Sequence, residues 1–357
     1  MAERLRIAQI APIETGIIPE YGGSIEQLVW LLTEELVRRG HEVTLFATGD
    51  SKTSAALHAT YPRGYEDDDQ LWNWCFHETL NAAAAFERAG DFDVIHSHAY
   101  HFALPFTRLV VTPVIHSHHV LEDNDIVRAY ARYPEVQVVA SSHYQRRALG
   151  DGSSLSVIHH GIDTDGFPFN PASGDYLVYM GRIMARKGPV EAIHLARQIG
   201  MRLIMAGPAQ DDYFRAEIAP LVDGKAVEYV GPVDTQKRNN LLAGAAALLY
   251  PVLGAETFGL VMVEAMACGT PVVALEHGPV PEIVENGVTG YYARELESLA
   301  KRIPAALELN RARIRQEAIR RFDYRRMVDD YEALYRRAVR NDVSVVGDQV
   351  LMRSYSP

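Results

Sequence analysis

The sequence is poor in cysteine, with only Cys75 and Cys268 among its 357 residues. Neither belongs to a Cys-x-x-Cys pair, which excludes a disulfide framework and fits a reducing compartment. No apolar run reaches the roughly 18 residues that a membrane-spanning helix needs. Residues 1–13 also lack the long apolar region and cleavage site of a signal peptide. We therefore expect a cytoplasmic globular protein.

Positive charge is also scarce, since 35 Lys and Arg oppose 46 Asp and Glu and the formal net charge is −11. Such a chain is repelled by nucleic acid, which we do not expect as a partner. The segment 311–340 is locally basic, which is typical of the solvated face of C-terminal helices. The alternative is a surface for anionic lipid headgroups at the inner face of a membrane. The arginines concerned are Arg320, Arg321, Arg325, Arg326, Arg336 and Arg337.

Short apolar runs alternate with helical periods along most of the chain. Residues 5–11 form such a run, a Gly-Gly pair follows, and residues 25–39 have the period of an amphipathic helix. A second alternation starts at Tyr176, after a segment rich in Pro, Gly, Asn and Ser at 165–175. We predict one domain over 1–168 and another over 169–324. The C-terminal helix, about 325–357, is expected to cross back to the first domain.

Repeated strand–helix alternation predicts the α/β class, with parallel sheets that are covered on both faces. Two such sheets in tandem predict a central cleft that faces the carboxyl ends of the strands. Two local predictions are a short strand from about Val157 to Gly161 and a helix from Tyr213 to Leu221.

The strongest chemical pattern lies between residues 254 and 272. It places Glu256 in a loop and Glu264 on the helix that follows. Free N–H groups at the start of that helix suit a pyrophosphate, and Gly259 allows the phosphate to approach the backbone. A carboxylate accepts two hydroxyl hydrogen bonds, so Glu264 can hold a ribose diol and Glu256 the hydroxyls of a sugar.

This pattern, Glu-x-Phe-Gly-Leu followed by Glu-Ala-Met-Ala-Cys-Gly-Thr-Pro-Val, resembles the paired-glutamate signature of glycosyltransferase family 4. The resemblance covers nearly the whole chain. His160 stands where the family usually has Asn in its Asn-Gly-Ile-Asp element. The other segments that carry the resemblance are 22–23, 93–98, 157–163, 181–188 and 278–290.

The resemblance implies a GT-B fold of two Rossmann-like domains, a nucleotide-diphosphate sugar as donor, retention of anomeric configuration and no metal or other cofactor. His119 is similar to the family's active-site histidine, and His98 and His160 are candidates for contacts with the sugar or the acceptor. We expect catalytic roles for Glu256, His119, Arg182 and Lys187. The expected donor contacts are Gly22, Gly23, Arg182, Lys187, Gly231, Glu256, Thr257, Phe258, Gly259, Leu260 and Glu264.

A leaving nucleotide diphosphate gains negative charge, which Arg182 and Lys187 would neutralise. Arg offers a planar fork for two oxygens and Lys a point charge. Each charged hydrogen bond supplies about 1.5–3 kcal/mol. In the expected front-face mechanism the departing phosphate oxygen takes the proton of the acceptor hydroxyl. Double displacement with Glu256 as nucleophile is the alternative.

The donor is expected to be a UDP- or GDP-linked hexose, and the acceptor a lipid, a polysaccharide or a small molecule. Two other functions stay open: another nucleotide-sugar enzyme, such as an epimerase or a phosphorylase, and a binding protein that has lost catalysis. No lysine segment for pyridoxal phosphate is recognisable, which disfavours a phosphorylase. Intact Arg182, Lys187, Glu256 and Glu264 disfavour the inactive protein.

Clusters of acidic residues and of histidines raise the alternative of a metal-dependent glycosyltransferase. The segments 67–69 and 91–93 match the Asp-x-Asp pattern of metal-holding glycosyltransferases, but the second precedes a strand instead of following one. Residues 122–125 are expected to form a solvated loop, with an acceptor-binding role as the alternative. Zinc ligation by histidines is not expected, because ordinary strand positions explain His96, His116, His118 and His159.

Overall fold

The computed structural model describes residues 4–19, 23–150 and 154–345, the last five without side chains. These residues form two compact units. The first comprises the described residues up to Ser141, 145–161 and those from Tyr324 onward; the second comprises 142–144 and 162–323. The main division thus lies between Gly161 and Ile162, whereas the boundary predicted from the sequence follows residue 168.

The first unit is built on a parallel sheet of seven strands. Their order in the sheet is β3-β2-β1-β4-β5-β6-β7. The edge strand β3 was not predicted, because its side chains are mostly exposed and carry no apolar run. The strands are β1 Arg6–Ile10, β2 Glu42–Ala47, β3 Ala56–Ala59, β4 Val94–Ser97, β5 Val114–His118, β6 Gln137–Ala140 and β7 Leu155–Val157.

In the described part of the chain, five α-helices accompany this sheet, and the last of them comes from the C-terminal end. Its apolar side chains, among them Met327 and Leu334, join Ile7 and Leu32 in one buried cluster. Such burial explains why the C-terminal helix belongs to the first unit. Residues 346–357 of the predicted crossing helix lie outside the described residues. The helices are α1 Ser24–Arg38, α2 Trp74–Glu87, α3 Asn124–Arg132, α4 His143–Leu149 and α13 Tyr324–Val345.

The strand predicted from Val157 to Gly161 is wrong in position. β7 covers Leu155–Val157 and pairs only with β6. Its last ladder partner is Ala140, where β6 ends, and Ile158 N–H then donates to the Ala140 carbonyl at 3.0 Å. Because no strand continues beside it, the chain leaves the sheet before His160.

The second unit contains a parallel sheet of six strands in the order β10-β9-β8-β11-β12-β13. Alternate residues of β8 belong to different buried clusters: Leu177 lies in one and Val178 in the other. Both faces of the sheet are therefore covered, as the sequence pattern predicted. The strands are β8 Tyr176–Met180, β9 Arg202–Ala206, β10 Val227–Tyr229, β11 Ala247–Tyr250, β12 Val272–Leu275 and β13 Gly290–Ala293.

The helix predicted from Tyr213 to Leu221 is only in part an α-helix. A short α-turn ends at Tyr213, a π-helical segment covers Phe214–Ile218 and a 3-10 turn covers Ala219–Leu221. Pro220 has no N–H to donate, which prevents a regular ladder there. The helices of this unit are α5 Pro189–Ile199, α6 Asp211–Tyr213, α7 Thr235–Gly244, α8 Leu260–Ala267, α9 Val280–Ile283, α10 Leu296–Ala300, α11 Ile303–Leu307 and α12 Arg311–Phe322.

Each sheet has one point where the strand order reverses, between β1 and β4 in the first unit and between β8 and β11 in the second. Ligands of doubly wound sheets bind outside the carboxyl ends of the strands at such a point. The loops after these four strands are therefore the first places to search for a site. None of the helices in the described part of the chain is long and apolar enough to cross a membrane.

Candidate functional site

Lys187 and Glu256 meet at the reversal point of the second sheet. Lys187 lies in the loop after β8 and Glu256 in the loop after β11, and their side chains form an ion pair. The pair is mostly shielded, since the two side chains are 18% and 14% exposed. Gly188 has the left-handed φ of 69° and lies against the Pro251 carbonyl, where a Cβ would not fit. This close approach holds the lysine loop against the glutamate loop.

Two further groups hold the Glu256 carboxylate. The Tyr250 hydroxyl, at the end of β11, donates to Oε2 at 3.1 Å, and the Thr257 N–H donates to Oε1 at 3.2 Å. Burial raises the pKa of Tyr250 well above its ordinary value, and the nearby Glu256 charge adds to the shift. The phenol therefore stays protonated and keeps donating to Glu256.

Arg182 follows β8 by two residues and is exposed. Its carbonyl accepts from the Tyr179 hydroxyl at 3.0 Å, which ties the loop to the strand. Among the described residues its guanidinium forms no ion pair. An unneutralised arginine close in sequence to the Lys187 loop can bind an anion.

Helix α8 begins directly after Glu256, Thr257 and Phe258. Gly259 precedes its first residue with φ +86° and ψ 58°, and no side chain caps the helix. A Cβ on Gly259 would lie only 2.7 Å from the Tyr250 hydroxyl and from the Met262 methyl group. Phe258 is almost fully buried, so it anchors the turn in the core. The Met262 N–H donates to the Gly259 carbonyl at 3.0 Å, so the N–H groups of Leu260 and Val261 are the ones at this helix start that suit an anion.

Glu264 lies within α8 and is buried. Its Oε1 is 3.4 Å from Nη1 of Arg238, a residue of α7. Burial raises the pKa of Glu264 and the Arg238 charge lowers it. The glutamate predicted to hold a ribose diol is thus oriented by an arginine that the sequence did not reveal.

Two glycine turns complete the carboxyl edge of this sheet. Gly181 follows β8, and Gly207, after β9, packs against its carbonyl so closely that a Cβ would not fit. The Gly207 N–H donates to the carbonyl of Gly231, which follows β10 with φ +74°. Gly231, one of the expected donor contacts, therefore lies on the same edge of the sheet as the Gly181–Gly188 loop.

In the first unit, Gly23 is the N-cap of α1. The Glu26 carboxylate lies close to Gly23, in the space that a Cβ on Gly23 would need. Burial raises the pKa of Glu26. The contact of Gly23 with a diphosphate stays a prediction, and Gly22 lies outside the described residues.

His98 and His119 are hydrogen-bonded to each other, with His98 Nδ1 2.9 Å from His119 Nε2 and the two rings stacked. His98 is fully buried at the end of β4, and His119 directly follows β5. Burial lowers the pKa of both imidazoles, so both are neutral. The ring of buried His160 lies 5.6 Å from that of His119, and burial lowers its pKa to about 3.

Gln9 and Tyr335 determine which nitrogen of His119 carries the proton. The Gln9 amide donates to the Tyr335 hydroxyl at 3.0 Å, so its oxygen accepts from His98 Nε2 at 3.0 Å. His98 Nδ1 is then an acceptor, and His119 Nε2 must donate to it. The buried Nδ1 of His119 is left as an acceptor without a hydrogen-bond partner among the described residues. It can accept a hydrogen bond from a ligand hydroxyl.

The sequence matches two family models that follow each other along the chain. Residues 21–166 match Glycosyltransferase Family 4, and residues 167–321 match Glycosyl transferases group 1. The chain belongs to glycosyltransferase family 4. Together with the two parallel sheets, this makes it a group 1 glycosyltransferase of the GT-B type that uses a nucleotide sugar.

Relatives of this family 4 enzyme include curated proteins named D-inositol 3-phosphate glycosyltransferase. The one from Mycobacterium avium is 27% identical over 95% of this chain and 95% of its own length. The one from Mycolicibacterium smegmatis is 27% identical over 85% of this chain and 84% of its own length.

Solved structures of similar fold include AviGT4, a glycosyltransferase involved in avilamycin A biosynthesis. It is 28% identical, with a TM-score of 0.70 over 94% of this chain and 98% of its own. HepE of Anabaena, solved with UDP and glucose, is 19% identical, with a TM-score of 0.71 over 94% of this chain and all of its own. The second likeness concerns the fold alone.

Two of the acidic segments considered as metal or acceptor sites have structural partners in this family 4 chain. Asp93 forms an ion pair with Arg6 at 2.7 Å, and Asp91 one with Arg88 at 3.1 Å. Asp123 is the N-cap of α3 and accepts from two backbone N–H groups. The segment 67–69 lies in a loop and is mostly exposed.

The other histidines and the basic segment also have structural surroundings. His96, His116 and His118 are buried strand residues, as expected, and His159 lies in coil. Several arginines of the segment 311–340 bind inside their own unit, which favours the structural interpretation over a lipid-binding surface. Arg320 pairs with Glu317, Arg321 donates to the Ile283 carbonyl, Arg326 to the His159 carbonyl, and Arg336 pairs with Glu332.

Proposed function

We propose that this family 4 enzyme is a retaining transferase that moves a hexose from a UDP- or GDP-linked donor to a hydroxyl acceptor without a metal ion. The observation that carries the proposal is the Lys187–Glu256 pair beside Arg182 at the strand-order reversal of the second unit. One group can bind the diphosphate and the other the sugar, in adjacent loops.

In this proposal, protein groups neutralise the negative charge of the departing diphosphate. Lys187, Arg182 and the N–H groups at the start of α8 would stabilise the negative charge that develops on the leaving oxygen. Groups oriented in advance toward developing charge are effective because they need no reorganisation at the moment of reaction. Glu264 would hold the ribose hydroxyls, with Arg238 fixing its orientation.

Retention follows if the acceptor hydroxyl attacks from the side that the diphosphate leaves. The bond from the anomeric carbon to the phosphate oxygen breaks, the bond to the acceptor oxygen forms, and the leaving phosphate oxygen takes the hydroxyl proton. In this scheme Glu256 grips sugar hydroxyls and forms no bond to the anomeric carbon. The acceptor nitrogen of His119 is proposed to bind a hydroxyl of the donor sugar.

The test is the anomeric configuration of the product, followed by proton NMR from the first turnover, with EDTA present. We expect the donor's configuration in the product and unchanged rates in EDTA. Inversion would reject the retaining mechanism, and restoration of a lost rate by Mg²⁺ or Mn²⁺ would reject metal independence. A covalent glycosyl adduct on Glu256, sought by mass spectrometry in a rapidly quenched reaction, would support double displacement instead.

A further inference from the structure

A second group of side chains lies at the reversal point of the first sheet. Glu14 is in the loop after β1 and Tyr100 in the loop after β4. The Tyr100 hydroxyl donates to Glu14 Oε2 at 3.2 Å. Tyr100 is also the one non-glycine residue among the described residues with a positive φ, at 44°. Both loops leave the carboxyl ends of strands, where ligands of such sheets bind.

A cluster of aromatic side chains surrounds Trp74 and includes Tyr100. The Trp74 ring, at the start of α2, lies 6.1 Å from Tyr65, 6.2 Å from Tyr100 and 5.6 Å from Phe102 between ring centroids. Trp74 is 43% exposed, and Trp72 in the preceding loop is 83% exposed. Exposed indole faces beside polar groups suit ligands with one apolar face and several hydroxyls, as sugar and cyclitol rings have.

Carboxyl groups dominate the polar surroundings. Glu78, on α2, is fully buried; its Oε1 accepts from the Ile13 N–H at 2.9 Å, and its Oε2 has no hydrogen-bond partner among the described residues. Burial raises the pKa of Glu78 to about 8, so its carboxyl is neutral at pH 7. Glu26 is buried, and the charges of Glu14 and Glu66 add to burial in raising its pKa. Among the described Lys and Arg side chains, none forms an ion pair with Glu26, Glu66 or Glu78. The group therefore offers hydrogen-bonding carboxyl groups, and its negative charge comes mainly from Glu14 and Glu66.

This charge separates two kinds of acceptor. A phosphate next to Glu14, Glu26 and Glu66 would be repelled, whereas a hydroxyl or an ammonium group would be attracted. The relatives named above act, by name, on D-inositol 3-phosphate, which carries a phosphate. The carboxyl groups around Glu14 in this chain instead favour an acceptor that is neutral or positively charged.

We propose that Trp74, Tyr100, Glu14 and Glu78 form the acceptor site, and that the acceptor is a polyhydroxylated ring without phosphate. This inference rests on the proposed transferase function, because it names the substrate class of the same reaction. The ring would pack on Trp74 while its hydroxyls donate to the Glu14 carboxylate and form hydrogen bonds with the protonated Glu78 carboxyl. An amino substituent would strengthen binding.

The test uses matched pairs of probes on the full chain. Saturation-transfer NMR would compare myo-inositol with D-inositol 3-phosphate, which differ by the phosphate, and glucosamine with glucose, which differ by the amine. We expect binding of myo-inositol over D-inositol 3-phosphate and of glucosamine over glucose. Tighter binding of the phosphate-bearing ring would overturn the proposal.

Variants locate the site. Trp74→Ala should weaken myo-inositol binding about tenfold, which corresponds to about 1.4 kcal/mol, because the ring loses its aromatic contact. Leu109→Ala, at an exposed apolar residue elsewhere in the same unit, should change nothing. Glu66→Lys, at an exposed position, should raise the affinity for D-inositol 3-phosphate. Unchanged binding in both Trp74→Ala and Glu66→Lys would place the acceptor elsewhere.

Binding of UDP and GDP sugars, measured on the same samples, distinguishes the two proposals. Loss of acceptor binding in Trp74→Ala with donor binding intact supports the acceptor site. If the chain binds myo-inositol in a Trp74-dependent way but binds no nucleotide sugar, the acceptor site is supported and the transferase mechanism proposed above is rejected.

Discussion

The Lys187 ammonium and the Glu256 carboxylate form an ion pair that joins the loops after β8 and β11. One partner was predicted to bind the donor diphosphate and the other the donor sugar. The side chain expected to bind the diphosphate therefore contacts the side chain expected to bind the sugar. A donor that binds there would exchange the Lys187–Glu256 contact for contacts of each side chain with its own part of the ligand.

Substitution Lys187→Ala is expected to lower kcat/KM by about 10²–10³, the typical loss when one oriented charge stabiliser is removed. Steady-state kinetics with a saturating acceptor would measure it. Lys225→Ala is the matched control, because Lys225 is an exposed lysine of the same unit that precedes β10 and so lies at the amino edge of the sheet, opposite the carboxyl ends. Equal activity of the two variants would contradict the role of Lys187.

Arg238→Met is expected to lower the melting temperature, because it leaves the buried Glu264 carboxylate without its ionic partner. Breaking a buried pair in this way costs about 3–5 kcal/mol. The double variant Arg238→Met with Glu264→Gln should recover part of the loss, and a double-mutant cycle would measure the coupling. In Arg294→Met, where the arginine is 84% exposed, the loss of the pair with Glu276 should hardly matter.

Glu78→Gln is expected to change how stability depends on pH. Burial raises the pKa of Glu78 to about 8 from an ordinary value of 4.5. Between these values the folded state holds a proton that the unfolded state has lost, so the wild type loses stability as the pH rises from about 4.5 to 8. The variant should lack this loss, so its melting temperature should rise relative to wild type between pH 5 and pH 8. Glu87→Gln, an exposed residue of the same helix, should follow the wild type.

Tyr335→Phe tests the polar chain that reaches His119. The Tyr335 hydroxyl bonds Gln9 and, at 2.6 Å, His96 Nδ1. Its loss leaves buried groups unpaired, at a cost of about 1–3 kcal/mol, and frees the Gln9 amide that orients His98. We expect a lower kcat with a changed pH profile and little change in acceptor KM.

Tyr130→Phe is the control for this experiment, since the Tyr130 hydroxyl bonds His118 at 2.9 Å and is not part of the Gln9 chain. It should lower stability by a similar amount without altering the pH profile of kcat. If both variants alter the profile equally, the chain through Gln9 has no specific effect on His119.

The sequence predicted those parts of the fold that depend on apolar periodicity. The apolar run at 5–11 and the helical period at 25–39 agree with β1 and α1 to within one residue at each end. β3 and β7 are edge strands, and their limits depend on where a neighbour ends, which is a tertiary property. Helix α2 was not predicted from the sequence. It begins without a side-chain cap, so no local sequence signal indicates where it starts.

The site residues also fall into those that the sequence predicted and those that depend on tertiary packing. The family resemblance was enough to assign Lys187 and Glu256 to one donor site, and the structure places them in loops that meet at one sheet. The partners that hold such groups, Tyr250 and Arg238, come from other elements and had no local pattern. Gln9 was the one available sign of the buried polar chain, because it is a lone polar residue within an apolar strand.

The central claim is that Arg182 and Lys187 bind the donor diphosphate in place of a metal ion. Isothermal titration of UDP and GDP in EDTA tests it most directly, with uridine and guanosine as references that lack the phosphates. We predict that Arg182→Ala and Lys187→Ala each weaken binding of the preferred diphosphate about 10- to 100-fold and leave nucleoside binding unchanged. Undiminished diphosphate affinity in both variants, or affinity that appears only when a divalent ion is added, would contradict the account.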